Sequence, residues 1–363
     1  MHNTIHPAFK LNGVSFNKEA LQEVAYSFIK EGADFEVAIG DFLMDWLDRR
    51  DTITVQTSGS TGNAKQIELQ KEKMVRSALA TAEYFGLCSG QRALLCLPAS
   101  FIAGKMMLVR AMVSGLEIDC VAPSSNPLHE NRNTYDFSAM VPLQLGNAIA
   151  AIDRIGTLLV GGAPLSDTIK DQVRTKKTRV FETYGMTETI THVAAREIPK
   201  TDTTTPCPFR ALPNVSFATD DRECLVIDAP GIADEKVVTN DVVELLSTKT
   251  FEWLGRFDFI INSGGVKLNP EQIEGKLRPY ISGRFMVAGV PDAALGEKVV
   301  LVLEGEETSP DLLQKIQMIP SLNKYETPKA IFYFSELLLT ENGKLRRSRN
   351  KEQLLKLSNP KQR

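Results

Sequence analysis

Cysteine, histidine, surplus charge and long apolar runs are all scarce in this chain of 363 residues, and each scarcity closes off a class of function. The five cysteines (Cys88, Cys96, Cys120, Cys207, Cys224) form no C-x-x-C pair and are odd in number. They read as thiols of a reducing compartment rather than a disulfide framework. The four histidines (His2, His6, His129, His192) lack metal-ligand spacing, which argues against a zinc site. A net charge of −3 gives no reason to expect a nucleic-acid partner. Met1 to Gly13 has no charged segment followed by an apolar run, and no stretch reaches membrane-spanning length. The expectation is a cytoplasmic globular protein with no membrane partner. Its 43% hydrophobic and 24% charged residues suit that class, and its length suggests two or three domains.

What the chain does have is Thr57-Ser58-Gly59-Ser60-Thr61-Gly62-Asn63-Ala64-Lys65, a run of small and hydroxyl residues ending in a cation. The alternating segments Thr52–Gln56 and Gln66–Leu69 flank it, so it is expected at the tip of a hairpin. Bare backbone N–H groups, hydroxyls and a lysine there suit the oxygens of a polyphosphate. A flexible turn is the plain alternative. The run is not a Walker A motif, because Gln66 follows Lys65, and no G-x-G-x-x-G opens a helix.

Residues 16–50 carry helical spacing, and strand-like and helix-like segments alternate from there to about residue 185. That predicts an α/β fold with a mostly parallel sheet. Within it, helices are expected from Met74 to Leu87, from Met106 to Val113 and over 142–152. Two strands end on turns able to meet one ligand: Gly161-Gly162-Ala163, and Tyr184-Gly185-Met186-Thr187-Glu188. Tyr184 could stack on a base, Thr187 could meet a phosphate, and Glu188 could hold Mg²⁺. Short runs from Cys224 to Leu246 suggest a small antiparallel, barrel-like region, with Asn240-Asp241 as a tight turn facing a ribose. After Leu254 the character changes. A strand over Phe259–Ile261, the turn Asn262–Gly265, a helix opening at Pro270 and further strands predict a separate α+β unit. It ends in the loop before Lys344 and a basic tail read as a solvated helix.

In order, these segments closely resemble the adenylate-forming superfamily of acyl- and aryl-CoA synthetases, luciferases and peptide-synthetase adenylation domains. The resemblance implies a large N-terminal domain (1–255) with mixed, mostly parallel sheets and a barrel-like region, a hinge (256–258), and a small mobile C-terminal domain (259–363). It implies ATP, Mg²⁺ and CoA as co-substrates. Thr57, Ser58, Gly59, Ser60, Thr61, Gly62 and Lys65 would form the phosphate loop. Gly161, Gly162, Ala163, Tyr184, Gly185, Asp241 and Arg256 would contact nucleotide. Lys344, Thr187 and Glu188 would be catalytic, Glu188 also holding the metal. Asp258 would be the hinge, and Ser263, Gly264, Gly265 and Lys267 would line the CoA tunnel. Three departures stand out: Ala64-Lys65-Gln66 for the usual Pro-Lys-Gly, Asn240 for a glycine, and Leu338 for a proline. The phosphate loop also begins at Thr57, so by the resemblance most of the N-terminal subdomain is missing or reduced to two helices.

Short members with Phe181-Glu-Thr-Tyr-Gly-Met-Thr-Glu-Thr-Ile-Thr-His192 are similar to the o-succinylbenzoate–CoA ligases of menaquinone synthesis. Such a substrate carries a second carboxylate, which calls for a cation. Lys105 is the preferred candidate, with Arg110 and His192 as the others. A carrier-protein-loading enzyme and a non-catalytic nucleotide-binding relative are the rival readings, and a homodimer is possible.

Overall fold

The protein is described from a computed structural model, which covers residues 5–56, 66–201, 207–306, 311–339 and 345–358. Two short paired strands, Lys10–Leu11 and Val14–Ser15, the second an edge of the large sheet, precede two helices, Lys18–Glu31 and Asp34–Leu47, that form as their spacing predicts, the first capped by Asn17 accepting from Ala20 N–H at 2.8 Å. A hairpin follows. Its strands Thr52–Gln56 and Gln66–Gln70 pair antiparallel out to Gln56 opposite Gln66, so residues 57–65 connect its ends.

Thirteen strands among the described residues form one long mixed sheet. Its parallel half runs Lys10–Leu11, Glu117–Cys120, Arg92–Leu95, Tyr135–Met140, Ile155–Val160, Arg179–Gly185. These strands are apolar on both sides for a reason. Ala93 and Leu95 pack into one buried cluster and Leu94 into another, and Leu159 and Phe181 are separated from Leu158, Val160 and Val180 in the same way. Period-two alternation thus feeds two cores. Helices Asp34–Leu47, Lys71–Phe85 and Ile102–Ser114 supply the first, and Pro142–Ala148 and Asp167–Arg174 the second. The helix expected over 142–152 is therefore shorter, and a 3₁₀ turn, Ile152–Arg154, follows it.

Beyond Arg179–Gly185 the sheet turns antiparallel through His192–Glu197, Phe209–Ala211, Thr250–Arg256, Val237–Ser247, Cys224–Asp228 and Ser216–Thr219. Asn240-Asp241 is not the expected tight turn. Both residues lie inside the strand Val237–Ser247, because it is paired on both sides and takes up its irregularity as register shifts around Val242. This half is strongly bent. Tyr184 and Asp241 sit four strand spacings apart, roughly 19 Å in a flat sheet, yet their side chains meet at 2.7 Å. Phe209, Phe217, Phe251 and Tyr184 fill the concave side, their neighbouring ring centroids 4.9–5.9 Å apart.

A second sheet of five strands holds Val266–Leu268, Ile261–Ser263, Gly296–Glu304, Phe285–Asp292 and Ile331–Phe334. It too has a core on each face, built on Phe285, Val287, Val299 and Leu301 on one side and Met286, Ala288, Val300 and Val302 on the other. Helix Pro270–Leu277 covers the first, with Asn269 as N-cap, and Arg347–Ser358 contributes Leu354 to the second. The strand expected over Phe259–Ile261 starts two residues later, since Phe257–Phe259 winds into a 3₁₀ turn. The basic tail is not wholly solvated. Arg347 is held between Glu274 and Glu271 and its side chain is only 15% exposed. Sequence periodicity cannot show this, because the acids lie on another helix.

Candidate active site

The turns after Ile155–Val160 and Arg179–Gly185 lie side by side at the carboxyl ends of neighbouring parallel strands. Thr183 Oγ1 donates to the Val160 carbonyl at 3.2 Å, and a Cβ on Gly161 would stand 2.7 Å from that hydroxyl. Any side chain at 161 would push the turns apart. Gly162 and Ala163 follow as accessible backbone. Gly185 is tighter still, for its Cβ would lie 2.2 Å from the Thr191 carbonyl. Between them Thr187–Thr189 form a 3₁₀ turn with Thr187 half-buried and Glu188 exposed. Ile190 then takes φ 64°, ψ −61°, with Thr191 N–H donating to the Thr189 carbonyl at 2.7 Å. This is the strained form of γ-turn, costing about 1–3 kcal/mol, in a β-branched residue. It directs Thr191 inward.

There Arg110 is buried, 3% exposed, and its Nη2 donates to Thr191 Oγ1 at 3.0 Å. Thr191 Oγ1 lies 3.1 Å from His192 Nδ1, His192 Nε2 lies 3.4 Å from Thr81 Oγ1, and Thr81 donates to the Ser77 carbonyl. Arginine only donates and a carbonyl only accepts. The chain therefore runs one way, Arg110 to Thr191 to His192 to Thr81, with the imidazole neutral and protonated on Nε2. Burial and then Arg110 push the His192 pKa well below the usual value, and burial lowers that of Arg110 to about 10. Among the described residues no carboxylate pairs with Arg110, and its Nε has no acceptor. Lys105 faces elsewhere. Five residues earlier and roughly 140° round the helix, its ammonium lies 5.1 Å over the Phe42 ring, in the field of Asp45 and Asp41.

Asp241 is 7% exposed and fully engaged. Tyr184 donates to its Oδ2 at 2.7 Å, Trp253 Nε1 to its Oδ1 at 3.2 Å, and Arg256 stands 3.8 Å away on the facing strand. Burial, then the Asp241 charge, pushes the Tyr184 hydroxyl pKa far up. The Tyr184 ring packs edge-on against Phe251, 5.1 Å between centroids. Asp258 is exposed, with Oδ2 taking Arg256 Nη2 at 2.7 Å and Oδ1 taking Asn240 Nδ2 at 3.0 Å. Beyond it, Ser263 faces Val266 across a two-residue turn, Gly264-Gly265, whose φ values of 59° and 82° lie in the left-handed region that favours glycine. Ser263 is buried, while Gly264, Gly265 and Lys267 are exposed.

Two sequence-predicted features, Thr57–Lys65 and Lys344, lie outside the described residues. The segment carrying Lys344 connects Leu339 to Leu345, which pair with each other. Among the described residues no cluster of three metal-ligating side chains occurs. One exposed carboxylate, Glu188, fits a Mg²⁺ ion held mainly by phosphate oxygens rather than a protein cage. No described helix is long and apolar enough to cross a membrane. Three residues escaped the sequence reading: Thr191, Trp253 and the amide of Asn240. Asn240 stood out in the sequence as a replaced glycine, though not its amide's partners, and only the scarcity of tryptophan, two in the chain, could have singled out Trp253.

Comparison with known proteins bears on the family and the fold. The family described as AMP-binding enzyme matches residues 14–231. A 2-succinylbenzoate–CoA ligase of Listeria monocytogenes is 25% identical over 91% of this chain and 75% of its own length. A solved acyl-CoA synthetase (AMP-forming)/AMP-acid ligase II-like protein from Dyadobacter fermentans is 33% identical, covering 92% of this chain and 98% of that one, with a TM-score of 0.60. The O-succinylbenzoate coenzyme A synthetase of Bacillus subtilis, solved with ATP and magnesium, is 20% identical and shares the fold, with a TM-score of 0.71 over 85% of this chain and 74% of that one.

Proposed function

This chain belongs to the family of AMP-binding enzymes, and from that premise we propose that it is an AMP-forming acid–CoA ligase acting on o-succinylbenzoate. The observation that carries the substrate class is Arg110: a buried guanidinium with no carboxylate of its own, supported through Thr191 by a neutral imidazole. A buried cation without a counter-charge is costly, and an aromatic acid with a second carboxylate would supply the missing anion. The named Listeria relative supports the same acid.

The core, residues 1–255, with its bent antiparallel half as a barrel-like wall, holds the nucleotide. Thr57–Lys65 wraps the phosphates, and Gly161–Ala163 and Gly185 lend backbone beside the adenylate. Asp241 accepts the ribose hydroxyls once the Tyr184 hydroxyl turns away, and Arg256 steadies it. Glu188 beside Thr187 would hold Mg²⁺, which would supply charge neutralisation to the phosphates when bound. Lys344 lies between the incoming carboxylate and the α-phosphate. The carboxylate oxygen bonds to phosphorus as the bond to pyrophosphate breaks. No protein nucleophile is needed, and positioning and charge do the catalysis. Rotation at Asp258 of the mobile unit 259–363 then withdraws Lys344 and brings in Ser263–Lys267. The CoA sulfur bonds to the acyl carbon, its proton passes to solvent, and AMP leaves.

A panel of aryl and acyl carboxylates assayed with ATP, Mg²⁺ and CoA tests this. CoA-dependent AMP and thioester formation, fastest with o-succinylbenzoate, is expected. Adenylation that CoA cannot discharge would instead indicate a carrier-protein acceptor, and absence of carboxylate-dependent pyrophosphate exchange would overturn catalysis altogether.

A further inference from the structure

Asn240 stands where a glycine is usual in the family this chain resembles, and its side chain is fully used. Its Oδ1 accepts from Arg222 Nη1 at 2.9 Å and its Nδ2 donates to Asp258 Oδ1 at 3.0 Å. An arginine offers only donors and a carboxylate only acceptors, so the amide can be placed only this way round. Asparagine is therefore chemically specified. Aspartate has no donor for Asp258, and glycine has neither group. Arg222 is itself fixed, donating to Asp220 Oδ2 at 2.8 Å and to the Thr239 carbonyl at 3.2 Å, with its guanidinium 5.2 Å from the centre of the Phe257 ring. The other oxygen of Asp258 is held by Arg256 at 2.7 Å.

We propose that Asn240 is a positioning residue that braces the hinge: together with Arg256 it clamps the Asp258 carboxylate to the bent sheet and slows the rotation that exchanges the two half-reactions. Both clamping groups belong to chain that precedes residue 258. A rotation about the N–Cα bond of Asp258 swings its Cβ, and so its carboxylate, away from both at once. Movement of residues 259 onward by that rotation must break the clamp. The participating side chains are partly exposed, so the brace is a modest one that sets a rate and leaves the fold intact. The consequence for the reaction rests on the function proposed above; the brace does not.

Amide hydrogen exchange over residues 257–261 in the intact chain reads the brace directly. Asn240→Gly and Asn240→Asp should each speed it by roughly two- to tenfold, the worth of one such hydrogen bond, with an unchanged melting temperature. Asn240→Asp is the sharper variant, since it keeps the acceptor for Arg222 and sets a second carboxylate against Asp258. Unchanged exchange in both variants would overturn the proposal, as would a rise spread over the whole chain. In the same proteins, the ratio of thioester formation from supplied o-succinylbenzoyl-adenylate and CoA to adenylate formation should rise by a similar factor, with the KM for ATP unchanged. Faster exchange with a constant ratio would leave the brace standing and remove its place in the reaction. A chain whose wild type makes no adenylate, yet shows faster exchange in the variants, would refute the function and keep the brace.

Discussion

Two arginines, one fully buried beside the large sheet and one largely buried beside the small sheet, carry the same charge in opposite circumstances. Arg347 in the small sheet lies between Glu274 (two bonds, one of 2.9 Å) and Glu271 at 3.3 Å, with Glu274 also accepting from Val287 N–H at 2.7 Å. Burial opposes its charge, and the two glutamates outweigh that, raising its pKa. Arg110 in the large sheet has a threonine hydroxyl and a neutral histidine, and its pKa falls to about 10 through burial alone. The first is neutralised by its own chain and joins two helices. The second is uncompensated among the described residues, which is the ground on which a binding role is proposed for it.

Removing one partner of a neutralised buried cluster should hurt stability most. Arg347→Ala is expected to destabilise the protein by about 3–5 kcal/mol, because it leaves the buried Glu274 and the largely covered Glu271 with no counter-ion. Denaturant unfolding would show it, and a loss under about 1 kcal/mol would dissolve the contrast from that side. A third cation, Lys344, is expected to act only as the bond forms. Lys344→Ala should slow adenylation by about 10²–10³-fold while leaving thioester formation from supplied acyl-adenylate within a few-fold, as separate half-reaction assays would measure; equal losses would remove its role.

Arg110→Leu should raise the KM for o-succinylbenzoate by about 10- to 100-fold and lower thermal stability little or not at all. The matching KM for a monocarboxylic aryl acid should barely move. A fall in stability like that of Arg347→Ala would make the two arginines equivalent and break the comparison. The smallest effect is one of pH. His192 is held neutral in the fold, whereas in the unfolded chain it takes up a proton near pH 6.5. Stability is therefore complete above that pH and declines below it, by up to about 1.4 kcal/mol per unit. His192→Gln should flatten that acid limb in melting temperatures taken from about pH 5 to 7; an unchanged limb would place the titration elsewhere.

Much of the architecture was legible because it depends on short-range patterns. Apolar strands ending in Gly161 and Gly185 announced a parallel sheet and the edge where a ligand is expected. The hairpin around residues 57–65 and the Gly264-Gly265 turn were readable from residue type alone. Misreadings fell where a long-range partner decides. Asn240-Asp241 has turn composition, yet two neighbouring strands hold it extended. Arg347 has the look of a solvated tail until Glu271 and Glu274 arrive from a helix some seventy residues earlier.

The sequence by itself determined the chemical inventory: a hydroxyl-rich loop, glycine turns at strand ends, acids at 188, 241 and 258, and a late lysine, in the order of an AMP-binding enzyme. Tertiary structure alone decided which of these meet. It brought Tyr184 to Asp241 across four strand spacings, chose Arg110 over Lys105 as the cation facing His192, and tied Asn240 to Asp258. The physical reason is that residue type and spacing set which face of an element a side chain occupies, whereas its partner depends on how far the sheet bends and on which helix covers it.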